Sequence, residues 1–428
     1  MQYLKCYFKR PVALAVVLLS LGGCQPPGLK SDGSPQFVPA EQNLIFSMSP
    51  LAEAPANPSN RFATNEAAAQ LGKVLFYEPK LSGNGQISCA TCHQPTRGWS
   101  DGLPVANTLG PGTRNTPTLW NVAHQRWYFG DGRADSLWSQ AIQPIESPIE
   151  MGRSRVSLYH LFQQDSQLKQ DYQKVFGAMP VMQAALPKEA RPVPKSPQDP
   201  QHQAWQSISP QDQLAVNRFV ANLGKALEAF ERQMISPESD FDRFAKGLRT
   251  QDVQAQSALS AEAQKGLRLF LGRGQCILCH SGPNLSDGEF HNIGLPAIAK
   301  NQDSGRYQGI QDLQKDPLNS LGAFSDLPAD DPWADKLRYV EAQESNKGEF
   351  KTPTLRELTQ TAPYMHDGRF KTLEEVIAFY NDPTVHKAAI GRREDTLQPL
   401  KLTPEEASQL LAFLKSLSTG KTPASLMP

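Results

Sequence analysis

Cys89-Ala90-Thr91-Cys92-His93 and Cys276-Ile277-Leu278-Cys279-His280 are two copies of one pentad in a chain of 428 residues. Two thiols three residues apart with an imidazole directly after them is the spacing of covalent c-type haem attachment. The thiols form thioethers to two vinyl groups and the adjacent imidazole ligates iron. A pair of disulfides would leave each His unexplained, and a shared Cys/His zinc site would strand surplus ligands. The chain therefore reads as a dihaem cytochrome with two covalently bound haem c groups. They are held by Cys89, Cys92 and His93 in one place and by Cys276, Cys279 and His280 in the other.

The two remaining cysteines bear on where this chemistry takes place. Lys5, Lys9 and Arg10 precede an apolar run from Val12 to Leu21, and Gly22-Gly23-Cys24 follows. A basic start, a short apolar stretch and small residues before a cleavage point mark a secretory signal, here residues 1–23. The apolar stretch is too short to serve comfortably as a permanent membrane span. Small residues leading into Cys24 resemble a bacterial lipobox, in which that Cys becomes the lipidated first residue; an ordinary signal peptide cut elsewhere is the alternative. Gln25 after the Cys resembles outer-membrane sorting. The expectation is a lipid-anchored protein on the periplasmic side of a bacterial membrane, the outer rather than the inner. Cys6 is then discarded, and no thiol is left for a structural disulfide.

Lys and Arg together number 43, matched by 43 Asp and Glu, which argues against nucleic acid as a partner. Gln25 to Ser59 is rich in Pro and weakly periodic, so residues 24–60 read as a tether between lipid and fold. A second Pro/Gln-rich stretch, 176–211, reads as a surface loop or linker.

Four marks recur in order. Gln70-x-Gly72-x-x-x-Phe76 precedes the first haem motif and Gln264-x-Gly266-x-x-x-Phe270 the second. Thr116-Pro117-Thr118-Leu119 returns as Thr352-Pro353-Thr354-Leu355. Asp131-Gly132-Arg133 returns as Asp367-Gly368-Arg369, and Leu137 as Leu373. Such a series means duplication of one haem-binding unit. The second copy is about 49 residues longer between His and Thr-Pro, so an insertion lies within roughly Ser281 to Phe350.

The legible secondary structure is helical. Asn60–Phe76 and Ala261–Phe270 read as helices leading into the haem motifs. Leu214 to Ile235 carries a broad apolar face suited to packing the two units together. Thr372–Tyr380 and Thr403–Leu417 begin with Thr ahead of Glu, an N-cap signature. No alternating strand run stands out. The expected fold is mainly all-α, with two cytochrome c-type haem domains arising from internal duplication and long loops. The first domain is placed at 61–175, a linking helix at 212–255 and the second domain at 256–420.

Further motifs carry a resemblance. Leu81-Ser82-Gly83-Asn84-Gly85-x-x-Ser88-Cys89, Arg114-Asn115-Thr116-Pro117-Thr118, Asp131-Gly132-Arg133-Ala134-Asp135-Ser136-Leu137-Trp138 and Ala362-Pro363-Tyr364-Met365-His366-Asp367-Gly368 resemble the bacterial dihaem cytochrome c peroxidase and MauG superfamily. The likeness covers most of Arg61 to Leu417. It implies that Gln140, Pro144 and Glu150 line the open face of the first haem, where peroxide reacts. A carboxylate with its pKa raised by an apolar pocket suits proton transfer between the peroxide oxygens. Glu146 is the runner-up.

Aligning Asp131 with Asp367 sets Pro144 opposite Tyr380. The resemblance implies Met at this position in cytochrome c peroxidases and Tyr in MauG-like members, so Tyr380 is the expected second ligand of the second haem, beside His280. A Tyr oxygen stabilises ferric and higher states, the reverse of a thioether. Met365 and His366 are the alternatives. The resemblance further implies Ca²⁺ between the haems on Asn115 and the backbone carbonyls of Thr361 and Pro363; Asn115 as a simple turn residue is the other reading.

Two departures bear on mechanism. Asn107 to Thr113 contains no His to close the first haem, and Gly130 stands where the superfamily usually has a Trp between the haems. Trp120, Trp127 and Trp138 are neighbours in sequence that could relay charge. Three functions follow: a MauG-like oxidase using hydrogen peroxide on a protein substrate, a peroxidase fed by a small cytochrome or cupredoxin, and a dihaem electron carrier. Tyr380 and the absent loop His favour the first.

Overall fold

Gly72 and Gly266, the glycines of the two Gln-x-Gly marks, lie where helices meet backbone to backbone. A Cβ at Gly72 would sit 2.0 Å from the Ala226 carbonyl oxygen, and one at Gly266 would sit 1.9 Å from that of Gln409. Only a residue without a side chain permits so close a crossing. The computed structural model describes residues 28–30, 32–298 and 302–428. The signal peptide at 1–23 and Cys24 lie outside them. Among the described residues no helix is long and apolar enough to cross a membrane.

The principal helices in chain order are α1 (Pro39–Met48), α2 (Glu66–Tyr77), α3 (Leu137–Glu146), α4 (Arg155–Gln164), α5 (Ser166–Phe176), α6 (Pro200–Gln206), α7 (Pro210–Glu231), α8 (Asp240–Thr250), α9 (Ala261–Leu271), α10 (Arg306–Lys315), α11 (Leu373–Asn381) and α12 (Pro404–Lys415). The fold is mainly helical, as expected. In the first unit α2, α3 and α4 pack on α7 around Phe76, Trp99, Trp120, Trp138 and Phe219. In the second, α9 packs on α12 with α8 and α11 beside them, around Phe241, Phe244, Phe270 and Phe413. Thr372 and Thr403 cap α11 and α12 with Glu375 and Glu406 returning the bond, the reciprocal pattern their spacing predicts. Helix α2 starts later than expected because Asn65 caps it, accepting from the Ala68 N–H at 2.9 Å.

Four features differ from the sequence expectations. Helix α7, expected to pack the units together from within a 212–255 linker, packs inside the first unit as the partner of α2. Residues 240–250 already belong to the second core. An apolar stripe of period 3.6 says that a helix is covered, not by which neighbour.

The expected tether is part of the fold from Phe37 onward. Pro39 occupies the first position of α1, and Glu41 accepts from the Val38 N–H at 2.8 Å. Phe37, Ile45 and Met48 are buried in the second core. Arg268 grips Glu41 through two bonds of 2.9 and 3.2 Å. The strap then crosses to the first unit, where Ser59 accepts from the Trp138 indole at 3.0 Å. Three apolar side chains scattered among prolines gave no periodic signal.

The Pro/Gln-rich stretch contains α6, and Ala190, Trp205 and Ile208 are buried against Val156 and Val216. It is a packed segment rather than a linker.

The insertion of the second unit lies on the first. Leu318 and Phe324 join the first core. Arg306 donates to the Gly132 carbonyl at 2.9 Å, and Lys225 pairs with Asp326 at 2.7 Å. Asp135, buried in the first unit, accepts from the Ser320 N–H at 3.1 Å. A two-stranded ladder, β1 (Phe290–His291) with β2 (Phe350–Lys351), is antiparallel and pairs Phe290 with Lys351, closing the insertion at its base. Two-residue strands carry no alternation to read.

The close crossings give a stability test. Gly72→Ala and Gly266→Ala should each lose about 1–3 kcal/mol, the usual cost of overpacking. Guanidinium unfolding of the holoprotein followed at the Soret band measures it, and parental stability in both would refute the backbone-contact account.

Candidate haem and peroxide site

Each pentad folds into one helical turn that hands its His to the interior. The His93 N–H bonds the Cys89 carbonyl at 2.9 Å, and the His280 N–H bonds that of Cys276 at 2.9 Å. The side chains are fixed next. His93 Nδ1 lies 3.0 Å from the Trp99 carbonyl oxygen and His280 Nδ1 lies 3.0 Å from that of Leu285. A carbonyl can only accept, so Nδ1 carries the proton and Nε2 is left as the metal-binding nitrogen. Trp99 and Leu285 both have left-handed backbone, φ +61° and +51°, an uncommon state for bulky residues and one found at sites that must hold a group in place. The repeated Thr-Pro adds to this, since the Pro117 and Pro353 backbones come close enough to act on the His93 and His280 rings. Burial pushes both imidazoles below their ordinary pKa and keeps them neutral, as iron ligation requires.

The donor set fits haem. Cys89, Cys92, Cys276 and Cys279 form no disulfide. Burial pushes the Cys92 thiol up to about 11 and Cys276 up to about 12, which disfavours the thiolates that a zinc site needs. Trp99 and Trp120 are fully buried, edge to face at 5.9 Å, and neither indole N–H finds an acceptor among the described residues. Buried donors left open in this way suit an anionic acceptor such as a haem propionate.

Gln140 and Pro144 lie on α3 and Glu150 in the turn after it. The turn is tied back to the motif before Cys89: the Gly83 N–H bonds the Met151 carbonyl at 2.7 Å. Glu150 is half-buried and close enough to Cys92 for its charge to act there. Desolvation raises its carboxyl above the ordinary range, with Arg133 opposing, and the carboxylate makes no hydrogen bond among the described residues. Glu146 differs. It clamps the buried Arg155 through bonds of 2.8 and 2.5 Å, and Asn217 accepts from the same guanidinium at 2.5 Å. Glu146 is spent on structure, while Glu150 is free.

In the second unit Tyr380 falls on α11 seven residues after Leu373, as Pro144 falls on α3 seven after Leu137. Burial pushes its phenol far above the ordinary range, and Cys276 and Cys279 are near enough to act on it. Its hydroxyl bonds no other group among the described residues. His366, one alternative ligand, is committed elsewhere: its ring stacks on Phe350 at 3.7 Å with an interplanar angle of 9°.

Asn115 sits on the seam between the units. Its N–H bonds the His366 carbonyl at 2.8 Å and its Nδ2 the Leu103 carbonyl at 2.7 Å, leaving Oδ1 open. Thr361 approaches the same strip of the first unit at Gly98. Arg114 joins Asp131 at 2.6 Å to Asp303 of the insertion at 2.7 Å. No repeat mark points to Asp303 or Phe350, because both lie in the inserted segment.

Of the neighbouring tryptophans, Trp127 lies under the Arg306 guanidinium at 4.2 Å and within 5.5 Å of the Lys336 ammonium. Two cations beside an indole oppose removal of an electron from it. Trp138 is fully buried and bonded to Ser59, a packing role.

Residues 66–250 match a family described as di-haem cytochrome c peroxidase. The chain is 32% identical over 375 residues to the cytochrome-c peroxidase IdrP2 of Pseudomonas sp., spanning 85% of this chain and 84% of that protein. It is 31% identical over 412 residues to the methylamine utilization protein MauG of Methylorubrum extorquens, spanning 95% and 94%. The crystal structure of a MauG-like protein associated with microbial copper homeostasis matches with a TM-score of 0.58 at 25% identity, covering 88% of this chain and 96% of that one. With two attachment pentads, two oriented imidazoles and relatives matched along nearly their full length, the chain belongs to the dihaem cytochrome c peroxidase and MauG family of haem oxidoreductases.

Proposed function

We propose that this enzyme works in the MauG manner, using hydrogen peroxide to oxidise a protein partner. The observation that carries this reading is Tyr380, a half-buried phenol near the second attachment motif whose hydroxyl bonds no other group among the described residues. Haem, when bound, supplies the redox-active iron and the conjugated ring that take up oxidising equivalents. His93 and His280 each present Nε2 to it, and Tyr380 offers the second unit a hard oxygen donor. Pro144, at the equivalent place in the first unit, has no donor or acceptor on its side chain and would offer a bound haem no second ligand, leaving room for peroxide. Glu150 holds and moves the peroxide proton, and Gln140 supplies an amide beside it. A raised carboxyl keeps its proton to higher pH than an ordinary Glu and exchanges it nearer neutrality.

Three further parts belong to the same proposal. Ca²⁺ is held by Asn115 Oδ1 and the carbonyls of Thr361 and Pro363, all hard oxygen donors. The two units descend from one by duplication, supported by left-handed backbone recurring at Asn121 and Glu357 and at Phe129 and Met365. The mature protein is periplasmic and anchored through Cys24.

Covalent attachment is tested by Cys89→Ala and Cys276→Ala, each of which should lower the pyridine haemochrome yield while one haem remains. Full yield in either variant would contradict the scheme.

Tyr380→Met should raise the potential of the second haem in a spectroelectrochemical titration. An unchanged potential would remove Tyr380 as ligand and leave the donor-fed peroxidase as the better reading.

Glu150→Gln should keep haem content and the resting spectrum yet slow the reaction with peroxide by about 10²–10⁴-fold in stopped flow. Glu146→Gln should react at the parental rate but lose about 3 kcal/mol of stability, because Arg155 is left buried without its charge partner. The reverse pattern would move the proton role to Glu146.

A further inference from the structure

Nothing holds the side chain of Glu150 directly. Its carboxylate bonds no group among the described residues, so its direction comes from the backbone it leaves. The Glu150 N–H bonds the Ser147 carbonyl at 3.1 Å, and the Met151 N–H bonds that of Pro144 at 3.2 Å. The two carbonyls on either side of its Cα, those of Ile149 and of Glu150 itself, are taken by a different segment.

That segment is the loop from Asn107 to Thr113, which contains no His. It closes on itself: the Gly112 N–H bonds the Ala106 carbonyl at 2.7 Å, and the Ala106 N–H bonds that of Arg114 at 3.1 Å. From this loop the Thr108 hydroxyl donates across 41 residues of sequence to the Ile149 carbonyl at 2.9 Å. It donates across 42 to the Glu150 carbonyl at 3.0 Å. A hydroxyl has a single proton, here shared between the two oxygens. The Gly110 N–H adds a bond to the Ile149 carbonyl at 3.1 Å, while the Glu150 carbonyl has no other donor among the described residues. The fit is close. A Cβ at Gly110 would meet Ile149 Cγ2 at 3.3 Å, and one at Gly152 would meet Leu109 Cδ1 at 2.7 Å. Glycines at both positions let the loop and the turn lie together.

The Ile149 and Glu150 carbonyls belong to successive peptide planes hinged at the Glu150 Cα. The rotation of those planes about that carbon sets where its Cβ points. We infer that Thr108 is a positioning residue for Glu150, its hydroxyl tying the two planes together so that the carboxyl is aimed at the open face of the first haem. A proton passes only over the length of a hydrogen bond, about 2.6–3.2 Å, so a small swing of the backbone takes the carboxyl out of reach. Thr108 touches neither peroxide nor haem in this scheme and acts through Glu150 alone.

The inference rests on the proposed proton role of Glu150, and its test separates the two. The holoprotein is mixed with hydrogen peroxide in stopped flow. Thr108→Val keeps the branched shape and loses the donor. It should retain haem content and the resting spectrum yet react about tenfold more slowly, part of the roughly 10²-fold that a misplacement of about 1 Å can cost. Thr108→Ser, which keeps the hydroxyl without the methyl group, should react at the parental rate. Thr108→Val added to Glu150→Gln should cause no further loss, because no titratable carboxyl is left to aim. A parental rate in Thr108→Val beside a slow Glu150→Gln would overturn the inference, as would a slow Thr108→Ser or an additive loss in the double variant. A parental rate in Glu150→Gln would instead remove the proton role of Glu150. Crystals of the parental and Thr108→Val holoproteins then decide: the Glu150 carboxyl should shift by about 1 Å or more, the scale on which positioning matters, and an unmoved carboxyl would overturn the positioning role.

Discussion

Everything in each unit rests on a pair of helices that touch at a bare glycine. Where α2 meets α7 at Gly72 and α9 meets α12 at Gly266, no side chain separates the backbones, so the helix leading into each haem motif cannot shift along its partner. That rigidity is passed down the chain. The helical turn of the pentad follows, then a left-handed residue, Trp99 or Leu285, that aims its carbonyl at the imidazole. The iron-binding nitrogen is thus placed by backbone, the least adjustable part of the protein.

The acid side chains beside the first haem show how position decides role. Glu146 and Glu150 are four residues apart and equally acidic in isolation. The first ends α3 facing Arg155, and the pair forms a buried clamp. The second falls in the turn beyond, where apolar surroundings take away water and supply no base, so its proton is held more tightly. Pro144 lies in the last turn of α3, where its carbonyl has no helical donor ahead of it and accepts from the Met151 N–H at 3.2 Å, turning the chain back toward Gly83.

The chemistry of this molecule was more legible in the sequence than its architecture. Haem ligation depends on spacing within five residues, and the repeat marks depend on small residues with fixed jobs, such as Gly72 or Pro117, so both survive as plain text. Helix α11 was legible because Thr372 and Glu375 announce its start. The strap from Phe37 to Met48, the true partner of α7 and the destination of the insertion were not. Each is a question of which distant surface an apolar residue meets, and Phe37, Leu318 and Phe324 carry no mark of their partners. The Phe350–His366 stack was hidden for the same reason, with one ring in the inserted segment and the other in a repeat motif.

The strap and the insertion cross in opposite directions, and this interlacing has a consequence for how the protein matures. Ser49 waits for Asp242, 193 residues later, and Asp135 waits for Ser320, 185 residues later. Neither unit can complete its core from its own contiguous stretch of chain, and closure of contacts so far apart is slow. The first pentad is synthesised long before Leu318 and Phe324 arrive to finish the core around it. On the proposed attachment scheme, Cys89 and Cys92 are open to haem until those late segments arrive and close over them.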